Sequence, residues 1–178
     1  MNKLKGGGTL PDRASWRQLC NGLVGGTTGI FMLAMLGEYT GVPWLMAPFG
    51  ATCVLLFAVP ASPLAQPRNV IGGHMVTALI GIMVLYLAGN SPLALALAVG
   101  LAIMLMQALR VVHPPAGANP IVIILAGKSV IGLSFLVTPV LFGSVGLVFI
   151  ASLLSNLGKQ TPWPTYWHGV RRKSQKQP

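Results

Sequence analysis

The sequence predicts an all-α, polytopic transmembrane bundle of about six membrane segments: four full spans and two broken or re-entrant ones, arranged as a 3+3 inverted repeat. Three features carry this expectation: long uncharged apolar runs, basic residues gathered at the chain ends, and two matched proline-glycine breaks. Charged residues make up 8% of the 178, against 53% hydrophobic, with mean hydropathy +0.71. Soluble domains carry roughly 25% charged residues, so most of this chain's surface must face lipid.

The spans follow from the charges, because a charge at the bilayer centre costs at least ~2.5 kcal/mol. Uncharged runs cover 18–37, 42–60, 69–88, 91–109, 111–127 and 129–157, bounded by Arg17, Glu38, Arg68, Arg110, Lys128 and Lys159. The first, third, fourth and sixth read as full spans. The second holds Pro48 and Gly50, and the fifth holds Pro114, Pro115, Gly117 and Pro120, all of which interrupt helical hydrogen bonding. Ahead of the first span, residues 1–17 form a basic segment with Lys3, Lys5, Arg13 and Arg17. Residues 18–158 form the membrane domain, and 159–178 a basic tail with Lys159, Arg171, Arg172, Lys173 and Lys176.

Basic ends place both termini in the cytoplasm and demand an even number of crossings. With six, the connectors holding Arg68 and Arg110 fall inside, those holding Glu38 and Gly89–Pro92 fall outside, and Lys128 alone departs from the rule. With re-entrant second and fifth segments the count is four. The uncharged stretch after the basic lead is long enough to span and does not read as a cleavable signal. The expected location is a bacterial inner (plasma) membrane, in contact with its lipids.

A net charge of +10 does not indicate a nucleic-acid partner, since the basic residues sit at membrane boundaries and not on one water-facing surface. Cys20 and Cys53 lie in apolar runs and read as packing residues. No Cys/His cluster suggests a metal, and no cofactor motif is present. Asp12 and Glu38 are the only acids and lie outside the core, leaving no carboxylate pair for general acid–base work. The expectation is a protein that is not an enzyme.

The two breaks are similar to each other. Pro48-Phe49-Gly50-Ala51-Thr52 matches Pro115-Ala116-Gly117-Ala118-Asn119, and Arg68-Asn69-Val70-Ile71-Gly72 matches Lys128-Ser129-Val130-Ile131-Gly132, in the same order. Three segments per half, about 18–88 and 91–157, would invert the second copy, as in many secondary transporters. A helix that starts at such a break carries unpaired N–H groups and about half a positive charge, which favours an anion. Gly50, Ala51, Thr52, Gly117, Ala118 and Asn119 are the expected walls of that site, with the helical parts beginning near Thr52 and Asn119.

His74 and His113 are the histidines of the apolar region, and an intramembrane ionisable residue defaults to function. His113-Pro114-Pro115 fixes its histidine on an extended or turning backbone. Arg68 and Asn69 belong to a polar cluster, Gln66-Pro67-Arg68-Asn69, denser than a loop end needs, whereas snorkelling explains Arg110. Arg68, His74 and His113 are expected to line the approach. His168, in the basic tail, carries no expected role. On the first span, Gly22/Gly26 and Gly25/Gly29 are small-xxx-small pairs that predict a close helix contact.

These residues resemble the HPP family of integral membrane proteins, named for its His-Pro-Pro motif. Ala47–Pro60 and Ser62–His74 are similar to its first signature and His113–Ala118 to its second, and the likeness covers about residues 18–155. Relatives in cyanobacteria and plastids are associated with nitrite transport, so the resemblance implies a transporter of nitrite or a similar small inorganic anion. A homodimer is expected. An anion channel, or a structural or assembly protein of the membrane, remains open from the sequence.

Overall fold

Proline and serine start the helices and glycine stops them. In the computed structural model, which describes residues 10–157 and 162–167, Ser15 and Gln18 form a capping box at the head of α1 (Trp16–Thr40). Gly41, at φ 67°, ends it. α2 (Ala47–Ala58) carries Pro48 in its first turn; α3 (Pro67–Ala88) opens on Pro67 and ends at Gly89, φ 75°. α4 (Pro92–Ala108) is capped by the Ser91 hydroxyl, which accepts from the Ala94 N–H at 3.2 Å.

Arg110 then adopts φ 58°, a left-handed conformation strained for a side chain of its size, and the chain leaves the helix through Val111 and Val112 to the extended His113. A 3₁₀ turn, Pro114–Ala118, leads into α5 (Asn119–Ala126). The last helical stretch runs from α6 (Leu133–Phe135) through a π-helical section, Leu136–Phe142, to α7 (Gly143–Asn156). Pro139 lies inside that section: it has no N–H for the helical ladder, and the wider turn accommodates its ring.

The fold is all-helical among the described residues, and three helices are long and apolar enough to cross a membrane: Trp16–Thr40, Pro67–Ala88 and Leu133–Asn156. α4, expected as a full span, has 17 helical residues, or about 25 Å against an apolar thickness of about 30 Å. Arg110's backbone cuts it short. A second expectation is corrected at α2. Its helix begins at Ala47, five residues ahead of Thr52, because proline is compatible with a first turn and Gly50-Ala51 simply continue the helix. α5 does begin at Asn119.

α3 is the ruler of the bundle. Arg68, in its first turn, donates to the Leu109 carbonyl at 3.0 Å, while Lys128 donates to the carbonyl of Tyr86 near its other end at 3.3 Å. Between these points the chain from Leu109 to Lys128 runs alongside α3 in parallel, and two α3 glycines allow the approach. A Cβ on Gly73 would lie 2.8 Å from that of His113, and one on Gly81 would lie 2.9 Å from the Pro120 Cα. α1 runs opposite to α2 and α7: Gly29 meets Cys53 and Leu147, and Gly25 meets Phe57. Gly25 and Gly29 thus make the contact expected of the first span, while Gly22 and Gly26 face open space.

It follows that the start of α1, the 59–66 connector, the start of α3, Arg110 and the end of α7 share one end of the bundle. Gly41, Gly89-Asn90 and Lys128 share the other. The stretch 162–167 folds back on the first end. Asn156 grips Trp163 through the main chain on both sides, at 2.7 and 3.1 Å, and the Trp163 indole donates to the Pro60 carbonyl at 3.1 Å. Lys3, Lys5, Lys159, His168 and the basic residues from Arg171 on lie outside the described residues.

Candidate functional site

The centre of the polar core is the Thr52 hydroxyl. Thr52 sits one and a half turns inside α2, where its Oγ1 lies 2.8 Å from His74 Nε2, 2.9 Å from His113 Nε2 and 3.0 Å from the Pro48 carbonyl. Asn119 closes the group from the start of α5. Its amide nitrogen lies 3.0 Å from His74 Nδ1, and it donates to the His74 carbonyl at 3.1 Å and to Thr77 Oγ1 at 3.0 Å. The other nitrogen of His113, Nδ1, lies 2.8 Å from the Leu64 carbonyl in the connector. His74 is held between two rings, Phe49 at 4.9 Å and His113 at 5.1 Å between centroids.

All of this is removed from the surface: Thr52, His74, Thr77 and His113 are 0% exposed and Asn119 1%. Burying so many polar groups is tolerable only because they satisfy one another. One atom is left over, Asn119 Oδ1, buried with no hydrogen-bond partner.

Of the expected site residues, Thr52, His74, His113 and Asn119 come together. Arg68 and Asn69 stand nearby at the connector end: Asn69 donates to the Val112 carbonyl at 2.9 Å, one residue before His113, and Arg68 is exposed. The small residues of the breaks are not drawn into the polar group. Ala51 and Ala118 line an apolar outer groove with Pro48, Pro114 and Pro115, and Gly50 lines another with Gly22 and Gly26. A Cβ on Gly117 would meet nothing within 4 Å.

The hydrogen-bonding capacity near the breaks is therefore held by side chains, since Pro48, Pro114, Pro115 and Pro120 strip N–H donors from the helix starts.

Several residues escape a reading of the sequence. Thr77 supports Asn119 and donates to the Gly73 carbonyl at 2.9 Å; its only signal is a threonine one turn after His74. Gln66 is fully buried and ties the connector to the folded-back stretch, its amide donating to the Pro60 and Ser62 carbonyls while its oxygen accepts from the Thr165 N–H. The Tyr166 hydroxyl lies 2.8 Å from Asn69 Oδ1 and 2.9 Å from the Pro63 carbonyl. Burial raises the Tyr166 hydroxyl above its ordinary pKa near 10, and the positive charges of Arg68 and Arg110 oppose the rise. A Trp-Pro-Thr-Tyr-Trp run between basic stretches is the signal for this element, as an interfacial aromatic belt.

No group of three or more His, Cys, Asp or Glu residues able to hold a metal occurs among the described residues. What the core can do chemically is exchange protons between imidazoles through a hydroxyl, and offer N–H and O–H donors to a small ligand.

Comparison with known proteins agrees with the motifs. Residues 11–164 match the family described as "HPP, transmembrane region". Two transmembrane proteins of Dictyostelium discoideum are similar: one is 33% identical over 174 residues, 93% of this chain and 56% of its own length, and the other 36% identical over 149 residues, 79% and 52%. The chain thus spans about half the length of these relatives. No solved structure matches. With the His-Pro-Pro turn, the first signature and the apolar helices all falling inside the matched region, this integral membrane protein belongs to the HPP transmembrane family.

Proposed function

We propose that the chain moves a small monovalent anion, nitrite by family resemblance, across the membrane through the place where its two broken segments meet. The observation that carries this reading is the convergence of His74 and His113 on the Thr52 hydroxyl inside an otherwise apolar bundle. Ionisable groups at such depth are expensive and mark pathways. Arg68 and Arg110 supply positive charge at the connector end, where an anion would be gathered.

The inverted repeat is part of the proposal. Pairing α1 with α4, α2 with α5, and α3 with the α6–α7 stretch, contacts recur in matched sets: α1 on α2 as α4 on α5, α3 on α4 as α7 on α1, and α3 on α5 as α7 on α2. Two contacts map onto themselves, α2 with the Pro114–Ala118 turn and α3 with α7. Pro48 and Pro115, and Ala51 and Ala118, equivalent pairs 67 residues apart, line one groove. The end bearing Arg13, Arg17, Arg68 and Arg110 is assigned to the cytoplasm.

The anion is received by side-chain donors of Thr52, His74 and Asn119, which exchange their present partners within the core for it. No enzymatic step belongs to this reading, and a homodimer does, to be measured by cross-linking in the membrane. The test is uptake of nitrite, nitrate, formate and chloride into proteoliposomes holding the purified chain, at equal pH on both sides and against protein-free vesicles. Selective uptake of nitrite is expected. Folded protein that moves none of the four overturns the reading.

A further inference from the structure

The hydrogen bonds of the core have a direction. Asn119's nitrogen faces the His74 main-chain carbonyl, which fixes the amide's orientation, since a carbonyl oxygen there would be repelled. That same N–H₂ lies 3.0 Å from His74 Nδ1, where an Nδ1–H would face it donor to donor, so the neutral ring carries its proton on Nε2. At the other end the Leu64 carbonyl can only accept, so His113 carries its proton on Nδ1 and its Nε2 is an acceptor. Thr52 lies between, and its single O–H proton has two acceptors in reach, the Pro48 carbonyl at 3.0 Å and His113 Nε2 at 2.9 Å; with the hydroxyl turned to His113, His74 Nε2–H donates to Oγ1 and the Thr52 hydroxyl donates to His113 Nε2. The two histidines are locked in opposite tautomers, joined by one hydroxyl.

We propose that His74, Thr52 and His113 form a proton relay that carries one proton with each anion; this rests on the transport reading above and names its coupling ion. A proton arriving at His74 Nδ1 makes an imidazolium. His74 passes its Nε2 proton to Thr52 Oγ1 as the Thr52 hydroxyl passes its own to His113 Nε2, so Thr52 remains a neutral alcohol. His74 is left neutral with its proton on Nδ1, and His113 becomes the imidazolium. His113 then releases its Nδ1 proton on the connector side, beside Leu64, to water.

The relay now points the other way, and His74 Nδ1–H needs an acceptor where Asn119 had offered a donor. Turning the Asn119 amide over supplies one, Oδ1, the buried atom with no partner in the present state; the turned oxygen then faces the His74 carbonyl, and that repulsion drives the amide back once the Nδ1 proton has left. Asn119 is the reset element.

No carboxylate competes for the proton. Among the described residues, the elements packed around the pair offer as further charged or titratable groups only Arg68, Arg110 and Tyr166 at the connector end, Tyr86 and Lys128 at the other, and Cys53, directed at Gly29. His74 lies seven residues into α3, about 10 Å along the helix from the connector end.

The experiment follows nitrite and lumenal pH together in proteoliposomes of the full chain, above pH 7 and corrected for nitrous acid leak through protein-free vesicles. Nitrite entry is expected to acidify the lumen, and an inward proton gradient to drive uptake. T52V is expected to lose about 10-fold or more of the gradient-driven uptake, and T52S, which keeps the hydroxyl, to retain it. Nitrite movement without lumenal acidification overturns the relay and leaves transport standing; no nitrite movement overturns transport. A second measurement stands apart from flux: ¹⁵N NMR of the histidines in lipid, assigned with H74Q and H113Q, is expected to find His74 protonated on Nε2 and His113 on Nδ1. Both rings in the same tautomer overturn the relay whatever the flux.

Discussion

The amide nitrogen of Asn119 reaches His74 twice, at 3.0 Å to the ring and 3.1 Å to the main-chain carbonyl of the same residue. Ring and backbone are thereby held by one group from another helix, so the imidazole cannot turn without disturbing the α3–α5 contact. N119L fills similar space and leaves His74 Nδ1 and Thr77 Oγ1 without their donor. It should lower stability by about 1–3 kcal/mol, the range for a buried group left unsatisfied. Thermal unfolding in detergent measures this; a midpoint equal to wild type means the amide does not hold the ring.

Packing of the His-Pro-Pro turn is tested through glycine. G73A pushes a methyl against the His113 Cβ and the Val111 carbonyl, and G81A pushes one against the Pro120 backbone. Each should cost about 1–3 kcal/mol by overpacking. G100A, whose Cβ would meet nothing within 4 Å, should be neutral or slightly stabilising. Melting curves of the three variants give the order, and equal midpoints contradict the close approach.

Charge at the connector end is separable from strain. R110N removes the cation while keeping a residue that tolerates φ 58°, and R68Q removes the other. Both should raise the KM for anion uptake several-fold with little change in the maximal rate, and the double variant should lose most of the salt dependence. Initial rates at two ionic strengths decide it.

The Tyr166 contact has a pH sign. Burial favours the neutral hydroxyl in the folded chain, so its contribution is complete below the ordinary tyrosine value near 10 and is lost as pH rises through the higher folded value. Protease cleavage within 162–167 should therefore be slow at pH 8 and rise in alkali in wild type. In Y166F it should be fast already at pH 8 and flat with pH; slow cleavage of Y166F there means the hydroxyl does not hold the stretch.

Orientation is measured with single cysteines on a C20S, C53S background. A61C should react with an impermeant maleimide from the cytoplasmic side, and N90C and K128C from the opposite side, because Arg68 and Lys128 mark the two ends of a 22-residue helix. Labelling of A61C and K128C from the same side overturns the six-crossing arrangement.

Much of this was legible in the sequence. Charge boundaries located all six segments, and the glycines at 41 and 89, with Ser15 and Pro67, punctuate them by local chemistry alone. Four members of the polar core were legible as well: Thr52 and Asn119 from their matched places after the breaks, His74 and His113 as ionisable groups in an apolar run.

Their mutual contact was not. Thr52 meets residues 22 and 61 positions away, and whether a hydroxyl bridges two imidazoles depends on fractions of an ångström set by Gly73. The small residues were misleading for a related reason. Placing Thr52 at a helix start put Gly50 and Ala51 ahead of it as loop, whereas a helix begun at Ala47 turns Ala51 outward while Thr52 faces in. The π-helical turn at Pro139 was visible only as a lone proline in a long apolar run.

The fold-back of 162–167 fixes an order of events during synthesis. Trp163 and Tyr166 bond to Pro60 and Pro63, each 103 residues earlier in the chain. At about 5–20 residues per second, the ribosome needs roughly 5–20 s to deliver them after the connector has emerged. For that interval the 59–66 connector and the start of α3 wait without their cover. The arginine-bearing face is completed only after residues 162–167 have been made.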